Sequence, residues 1–210
     1  MRLGWLEEIL MPRRCVFCGT RRELTAVDMC EACLSDLPWQ RVACKSDMSP
    51  FEAAVAPLEY SFPVDAALKA LKFKRRLDYV PAFAELLRRM LSELPNDIDA
   101  LLPVPLHWRR HAMRGFNQAI ELCEPLRKQT GLPVVAGIKR VRPTPKQSGL
   151  DAKERRRNLQ HAFAAGEPVD RRHVLIIDDV ITTGETCRQL AKIALAAGVE
   201  KVSVLAVARV

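Results

Sequence analysis

The sequence predicts an α/β fold in which a parallel sheet is flanked by helices, preceded by a small cysteine-rich module. Three observations carry that expectation. Beyond residue 50 or so, short runs rich in aliphatic and β-branched residues alternate with helical segments. The runs are apolar on both faces, as strands buried between two layers of helix must be. Four of the seven cysteines form two Cys-x-x-Cys pairs, in a stretch with too little apolar periodicity to build a core unaided.

A chain of 210 residues has room for one full domain and one accessory module. The expected division is a module over 1–48 and a domain over 49–210. In the module, Cys15 and Cys18 are separated from Cys30 and Cys33 by eleven residues, a spacing that lets two knuckles converge on one tetrahedral ion. Four thiolates would leave no open coordination position, so the zinc would fold the module and do no chemistry. Cys44, Cys123 and Cys187 read as plain thiols, the last two within predicted helices. Trp5, Phe17 and Trp39 suit either a minor core or base stacking.

In the domain, helices are expected over 64–73, 79–94, 116–129 and 185–197, and strands over 100–104, 134–141, 174–177 and 202–207. The segment 142–158 has two prolines, a glycine and a run of basic residues with no apolar face, and reads as a mobile loop. Glu7 and Glu8 interrupt the stretch where a signal peptide would need apolar residues, and no later run is long enough to span a bilayer, so a cytoplasmic location is expected.

The formal net charge of +8 is concentrated. Residues 101–160 hold thirteen basic and four acidic residues, while the rest of the chain is nearly balanced. An anionic partner is expected there: nucleic acid, a polyphosphate, or both.

The most specific feature is HVLIIDDVITTGET, residues 173–186. A buried strand ends in Asp178 and Asp179, and Val180, Ile181, Thr182, Thr183 and Gly184 lead into a helix opened by Glu185 and Thr186. Such a turn can aim several backbone N–H groups at one point, with the helix dipole adding positive potential, which makes a phosphate cradle. Two acids beside it would repel a bare phosphate. A ribose 5-phosphate resolves the conflict, its hydroxyls donating to the acids and its phosphate lying in the turn. Neither a Gly-x-x-x-x-Gly-Lys-Ser/Thr loop nor a Gly-x-Gly-x-x-Gly turn occurs, so the usual nucleoside triphosphate and dinucleotide readings lack their signatures.

VLIIDDVITTGET resembles the signature that binds phosphoribosyl pyrophosphate (PRPP) in type I phosphoribosyltransferases. Together with PVPLHWRRHAMRGFNQA (103–119), RPTPKQSGLDAKERRRNLQHAF (142–163) and the paired cysteines, nearly the whole chain resembles the ComF-type (ComFC, or GntX-like) competence proteins. The resemblance implies a type I phosphoribosyltransferase-like fold with a zinc finger. It also implies a role in handling single-stranded DNA during natural transformation, beside proteins of the DNA-uptake machinery. Where relatives carry a second Cys-x-x-Cys cluster, only Cys44 stands here, with Asp47 in the partner position, so one zinc is expected.

By the same resemblance, the loop after Val104 faces the pyrophosphate. His107, Arg109, Arg110 and Arg114 have the chemistry for that role, since guanidinium groups bind phosphate in bidentate fashion. Lys146, Gln147, Arg155, Arg156 and Asn158 are lid candidates, and Mg²⁺ would arrive on the pyrophosphate oxygens. No general base and no segment that reads a nucleobase stand out. Three readings therefore stay open: a PRPP-binding protein that handles single-stranded DNA, an active phosphoribosyltransferase with an unknown acceptor, and a PRPP-sensing regulator without catalysis.

Overall fold

The computed structural model describes residues 13–21, 24–25, 27–40, 50–142 and 162–210. The lid candidates Lys146, Gln147, Arg155, Arg156 and Asn158, and also Trp5 and Cys44, lie outside them.

In the module, a knuckle closes with Gly19 N–H donating to the Cys15 carbonyl at 2.8 Å and Cys15 N–H to that of Thr20 at 2.9 Å. Helix α1 (Glu31–Ser35) contains Cys33 of the second cysteine pair and is capped by Cys30, whose sulfur accepts from Cys33 N–H. The chain then runs along the edge of the main sheet. Glu59 N–H donates to the Pro38 carbonyl, and the Gln40 amide donates to the carbonyls of Ala56 and Leu58.

Strands β1 (Ala54–Val55) and β2 (Leu58–Glu59) are two pieces of one edge, both parallel to β7 (Lys201–Arg209). β7 pairs in parallel with β6 (His173–Ile181), which pairs in parallel with β3 (Ala100–Pro103). β6 and β7 are the long central strands because their interior residues are apolar on both faces and buried.

Helices α2 (Val64–Lys74), α3 (Tyr79–Arg89) and α5 (Gln118–Thr130) cover one face, and α6 (Glu185–Ala196) the other. The buried sets Val64, Ala67, Leu68, Leu71 in α2, Ala119, Leu122, Cys123, Leu126 in α5 and Cys187, Leu190, Ala191, Ala194 in α6 share the same spacing of i, i+3, i+4, i+7. That stripe is what ties each helix to the sheet. A further short helix, α4 (Trp108–Arg114), lies between β3 and α5.

Two expected elements come out differently. The helix expected to reach residue 94 ends at Arg89 and tightens to a 3-10 turn over Met90–Glu93, because Leu94 precedes a proline and is extended. The strand expected over 134–141 divides: Val134 makes one parallel bridge to Leu101, and β4 (Ile138–Arg140) pairs antiparallel with β5 (Phe163–Ala165). Its partner lies beyond the basic segment, which local periodicity does not reveal.

The module is not an appendage in energetic terms. Met29 and Leu37 are fully buried in the cluster that holds Val55, Leu68, Phe83, Leu87, Leu126 and Leu205. Phe17 meets Tyr79 and Phe83 edge-on, with ring centroids 5.4 and 6.2 Å apart. Of the aromatic residues left open by the sequence, Phe17 therefore serves the core, while Trp39 is half-exposed and donates its indole N–H to the Leu34 carbonyl.

Zinc energy in small metal modules, about 10–16 kcal/mol, is folding energy. Cys15→Ser should therefore lower the unfolding midpoint of the whole chain in one transition, seen by circular dichroism and by zinc release together. Separate transitions for module and sheet would contradict a shared core.

Candidate anion and sugar site at the carboxyl ends of the strands

β3 and β6 end side by side, and the turn after β6 and the helix after β3 open at that edge. In open α/β sheets this is where ligands bind. Thr182 and Thr183 are exposed, and Gly184 caps α6 with φ 72°, a left-handed conformation that a side chain would strain. Among the described residues, the N–H groups of Thr182, Thr183 and Gly184 have no hydrogen-bond acceptor. Arg188 braces the turn by donating to the Thr183 carbonyl at 2.8 Å. Val180 and Ile181 pack their side chains into the core, Thr186 is half-buried, and the buried Glu185 carboxylate accepts from Gln189 at 2.8 Å.

The two acids diverge, because consecutive strand residues face opposite sides of a sheet. Asp179 is only 4% exposed and forms an ion pair with Lys72 of α2, Nζ to Oδ2 2.5 Å. Asp178 turns toward α6, where the Cys187 thiol lies 3.9 Å from Oδ2, and its Oδ1 accepts the N–H of Asp179 at 2.8 Å. It is the partly exposed member of the pair.

Their protonation splits accordingly. Burial, then the neighbouring Asp179 charge, pushes Asp178 up to about 8 against the pull of Lys72. Asp179, although burial raises it, is held below the usual carboxylate range by Lys72 and Arg114.

Around the acids stand cations from three elements. Arg114 donates to the Gln118 side chain at 2.6 Å and lies close enough to Asp179 to feel its charge. Arg140, projecting from β4 on the same side as the buried Ile138, stacks over Phe163; burial and Arg110 lower it to about 10, while Asp178 opposes the shift. Arg110 lies near His107, Arg114 and Arg140.

His107 is buried at the start of α4, its Nδ1 accepting Arg109 N–H at 3.3 Å, which leaves the ring proton on Nε2. Burial and the surrounding arginines shift it below the ordinary imidazole range. Asn117 caps α5 and donates to the Val104 carbonyl at 3.0 Å, fixing the loop that carries His107. Of the predicted arginines among the described residues, Arg109 is the exposed one; it lies over the Trp108 ring, and its charge acts on His107.

Sequence reasoning missed Lys72 and Arg140. Each left a signal: a lysine four residues past Leu68 on an apolar helix face, and an arginine in the inward register of a strand. Elsewhere, His173 links Asp97 (2.7 Å) and Ser203 (2.9 Å) in the order of a hydrolytic triad, but His173 and Ser203 are wholly buried and out of a substrate's reach.

The four module cysteines have ligand atoms within 4.8 Å of one another, and Cys18 and Cys30 sulfurs are 3.8 Å apart. Zn–S bonds of about 2.3 Å in a tetrahedron require about that separation, so the donor set fits zinc. Against burial, N–H groups of Cys18, Cys30 and Phe17 draw the Cys15 thiol down to about 6, favouring the thiolate a metal needs. Cys123 and Cys187 are buried thiols pushed up by burial.

These features define a class: a zinc-ribbon α/β protein whose parallel sheet ends in an acid pair, a turn with open backbone N–H groups and a ring of cations. The double zinc ribbon domain model matches residues 6–60. The DNA utilization protein YhgH of Shigella flexneri is 36% identical over 208 residues, 93% of this chain and 89% of that protein. Competence protein F of Haemophilus influenzae is 31% identical over 206 residues, 91% and 89% of the two chains. The chain belongs to this family of DNA utilization and competence (ComF-type) proteins.

Solved structures similar to it include glutamine phosphoribosylpyrophosphate amidotransferase from B. subtilis, with a TM-score of 0.39 and 21% identity over 59% of this chain and 25% of that one. Adenine phosphoribosyltransferase from Leishmania tarentolae matches with a TM-score of 0.38 and 16% identity, over 77% and 78% of the chains. Among the described residues no helix is long and apolar enough to cross a membrane.

The acid pair makes a testable link between site and stability. In the unfolded chain Asp178 titrates near 4; in the folded chain it keeps its proton up to about 8. Across that interval the folded state binds the extra proton, so stability falls as pH rises. Asp178→Asn, neutral throughout, should gain stability over the parent progressively from pH about 4 to about 8 in urea unfolding. A difference that does not vary with pH would show that Asp178 titrates normally. Asp179 contributes the opposite way: its stabilisation is full above its unfolded pKa and is lost as pH falls.

Proposed function

We propose that the chain binds PRPP at this site and works in handling single-stranded DNA during uptake. What carries the reading is the set of three unpaired N–H groups at Thr182, Thr183 and Gly184, placed one strand-end from a partly exposed acid. The 5-phosphate takes the turn, where the N–H groups and the start of α6 supply positive potential. A ribose hydroxyl donates to Asp178, which ionises more readily once a donor meets it. Asp179 stays paired with Lys72 and serves as the fixed wall of the site rather than a second hydroxyl acceptor.

The pyrophosphate points to Arg110, Arg114 and the Nε2–H of His107, with Arg140 behind them. Segment 142–158, carrying Lys146, Arg155, Arg156 and Asn158, is the natural lid on sequence grounds. Mg²⁺ is carried by the pyrophosphate oxygens, which need few protein ligands. The names of the relatives, DNA utilization and competence proteins, support the DNA role.

Calorimetric titration of the full chain with PRPP and Mg²⁺ should give one site, and Asp178→Ala or Gly184→Val should weaken it at least about tenfold, the loss of one charge-assisted hydrogen bond. Affinity unchanged by both variants would remove the assignment. Pyrophosphate release on adding single-stranded DNA would move the reading to an active transferase.

A further inference from the structure

Beside the site, the ends of α2 and α4 form a rim unlike the rest of the surface. Phe73 is 70% exposed, Trp108 65% and Met113 86%. Single exposed apolar residues are ordinary on a protein surface. Here each large ring is matched with a guanidinium instead of with another apolar group: Arg114 lies 5.5 Å from the Phe73 ring centroid and Arg109 5.3 Å from that of Trp108. Neither 66–77 nor 105–120 contains an acidic residue. Among the described residues, Lys74, Arg75 and Arg109 form no ion pair.

The two helices are joined where Gly115 ends α4 at φ 81°, since a Cβ there would meet the Arg75 guanidinium at 3.4 Å. Arg75, itself left-handed at φ 54°, ends α2 at the same place. The ring of Trp108 is further fixed by His107, 5.6 Å away. Along α4, the positions of Trp108 and Arg114 are about 9 Å apart, given a rise of about 1.5 Å per residue.

We propose that single-stranded nucleic acid lies across this rim, its bases stacking on Phe73 and Trp108 and its phosphates meeting Lys74, Arg75 and Arg109. The geometry suits that occupant. Stacking platforms must be separate rings with exposed faces, and backbone contacts must be cations without countercharges. An anionic membrane would instead require a continuous apolar stripe, and here the rings are interrupted by guanidinium groups. The inference deepens the DNA role proposed above by giving it a surface. Because Arg114 touches Phe73 and feels Asp179, a strand on the rim ends beside the sugar site.

The test uses the full chain and a labelled oligothymidine over a salt series. Phe73→Ala and Trp108→Ala should each weaken binding about tenfold without changing the salt slope, because stacking is uncharged. Arg109→Ala should reduce the slope by roughly one. Trp108→Phe, which keeps a ring, should restore most of the affinity, and Trp108→Leu should not.

Oligothymidine affinity unchanged in the Phe73, Trp108 double variant overturns the proposal. So does loss of binding to phosphatidylserine vesicles with oligothymidine binding intact. PRPP titrations separate this from the sugar site. A wild-type chain that takes no PRPP yet loses DNA in the ring variants keeps the rim and removes the site. PRPP binding with ring variants that still bind DNA does the reverse.

Discussion

The site depends on one buried ion pair. Lys72 reaches from α2 to Asp179, so one of two adjacent acids is neutralised from the helix side of the sheet. Without it, two carboxylates one residue apart at a strand end would share a desolvated corner, and both would resist ionisation. With it, the negative charge stays on Asp179, and Asp178 is left as a proton-holding group turned toward α6. Strand alternation does the rest, since it sends the two side chains to different layers and gives them different partners. The cations of α4 and β4 then surround a site whose interior charge is already balanced.

That arrangement also explains why the cationic ring can be so dense. Arg110 repels both Arg114 and Arg140, adding to the lowering that burial imposes on each, and burial and the neighbouring arginines lower His107. Such a cluster is costly in an empty site and favourable around a polyanion, which is the usual signature of a site built for binding at the expense of stability. The Asn117 bond to the Val104 carbonyl and the Gln118 contact to Arg114 tie both ends of the α4 segment to the first turn of α5, a rigid element.

Much of this was legible in the residues. The central strands, the apolar stripes of α2, α5 and α6, and the paired cysteines follow from periodicity and spacing, which are local properties. The turn at 181–184 was legible too, because Gly184 and the threonines have few other uses there.

What sequence could not give were the pairings that depend on distance along the chain. Lys72 and Asp179 are far apart in sequence, and nothing local marks them as partners. The strand expected over 134–141 divides because its real partner, Phe163–Ala165, lies past the basic segment. By sequence the pair Asp178-Asp179 suits a two-handed grip on one sugar; the alternation that separates the two follows only from the strand's running on to Ile181.

The shared core of module and sheet has a cellular meaning. Phe17, Met29 and Leu37 close over Tyr79 and Phe83, so a chain made where zinc is scarce would present that aromatic surface to its neighbours. Metal binding and closure of this part of the core would then be one event, the four thiolates holding the knuckles from which Phe17 and Met29 reach the sheet.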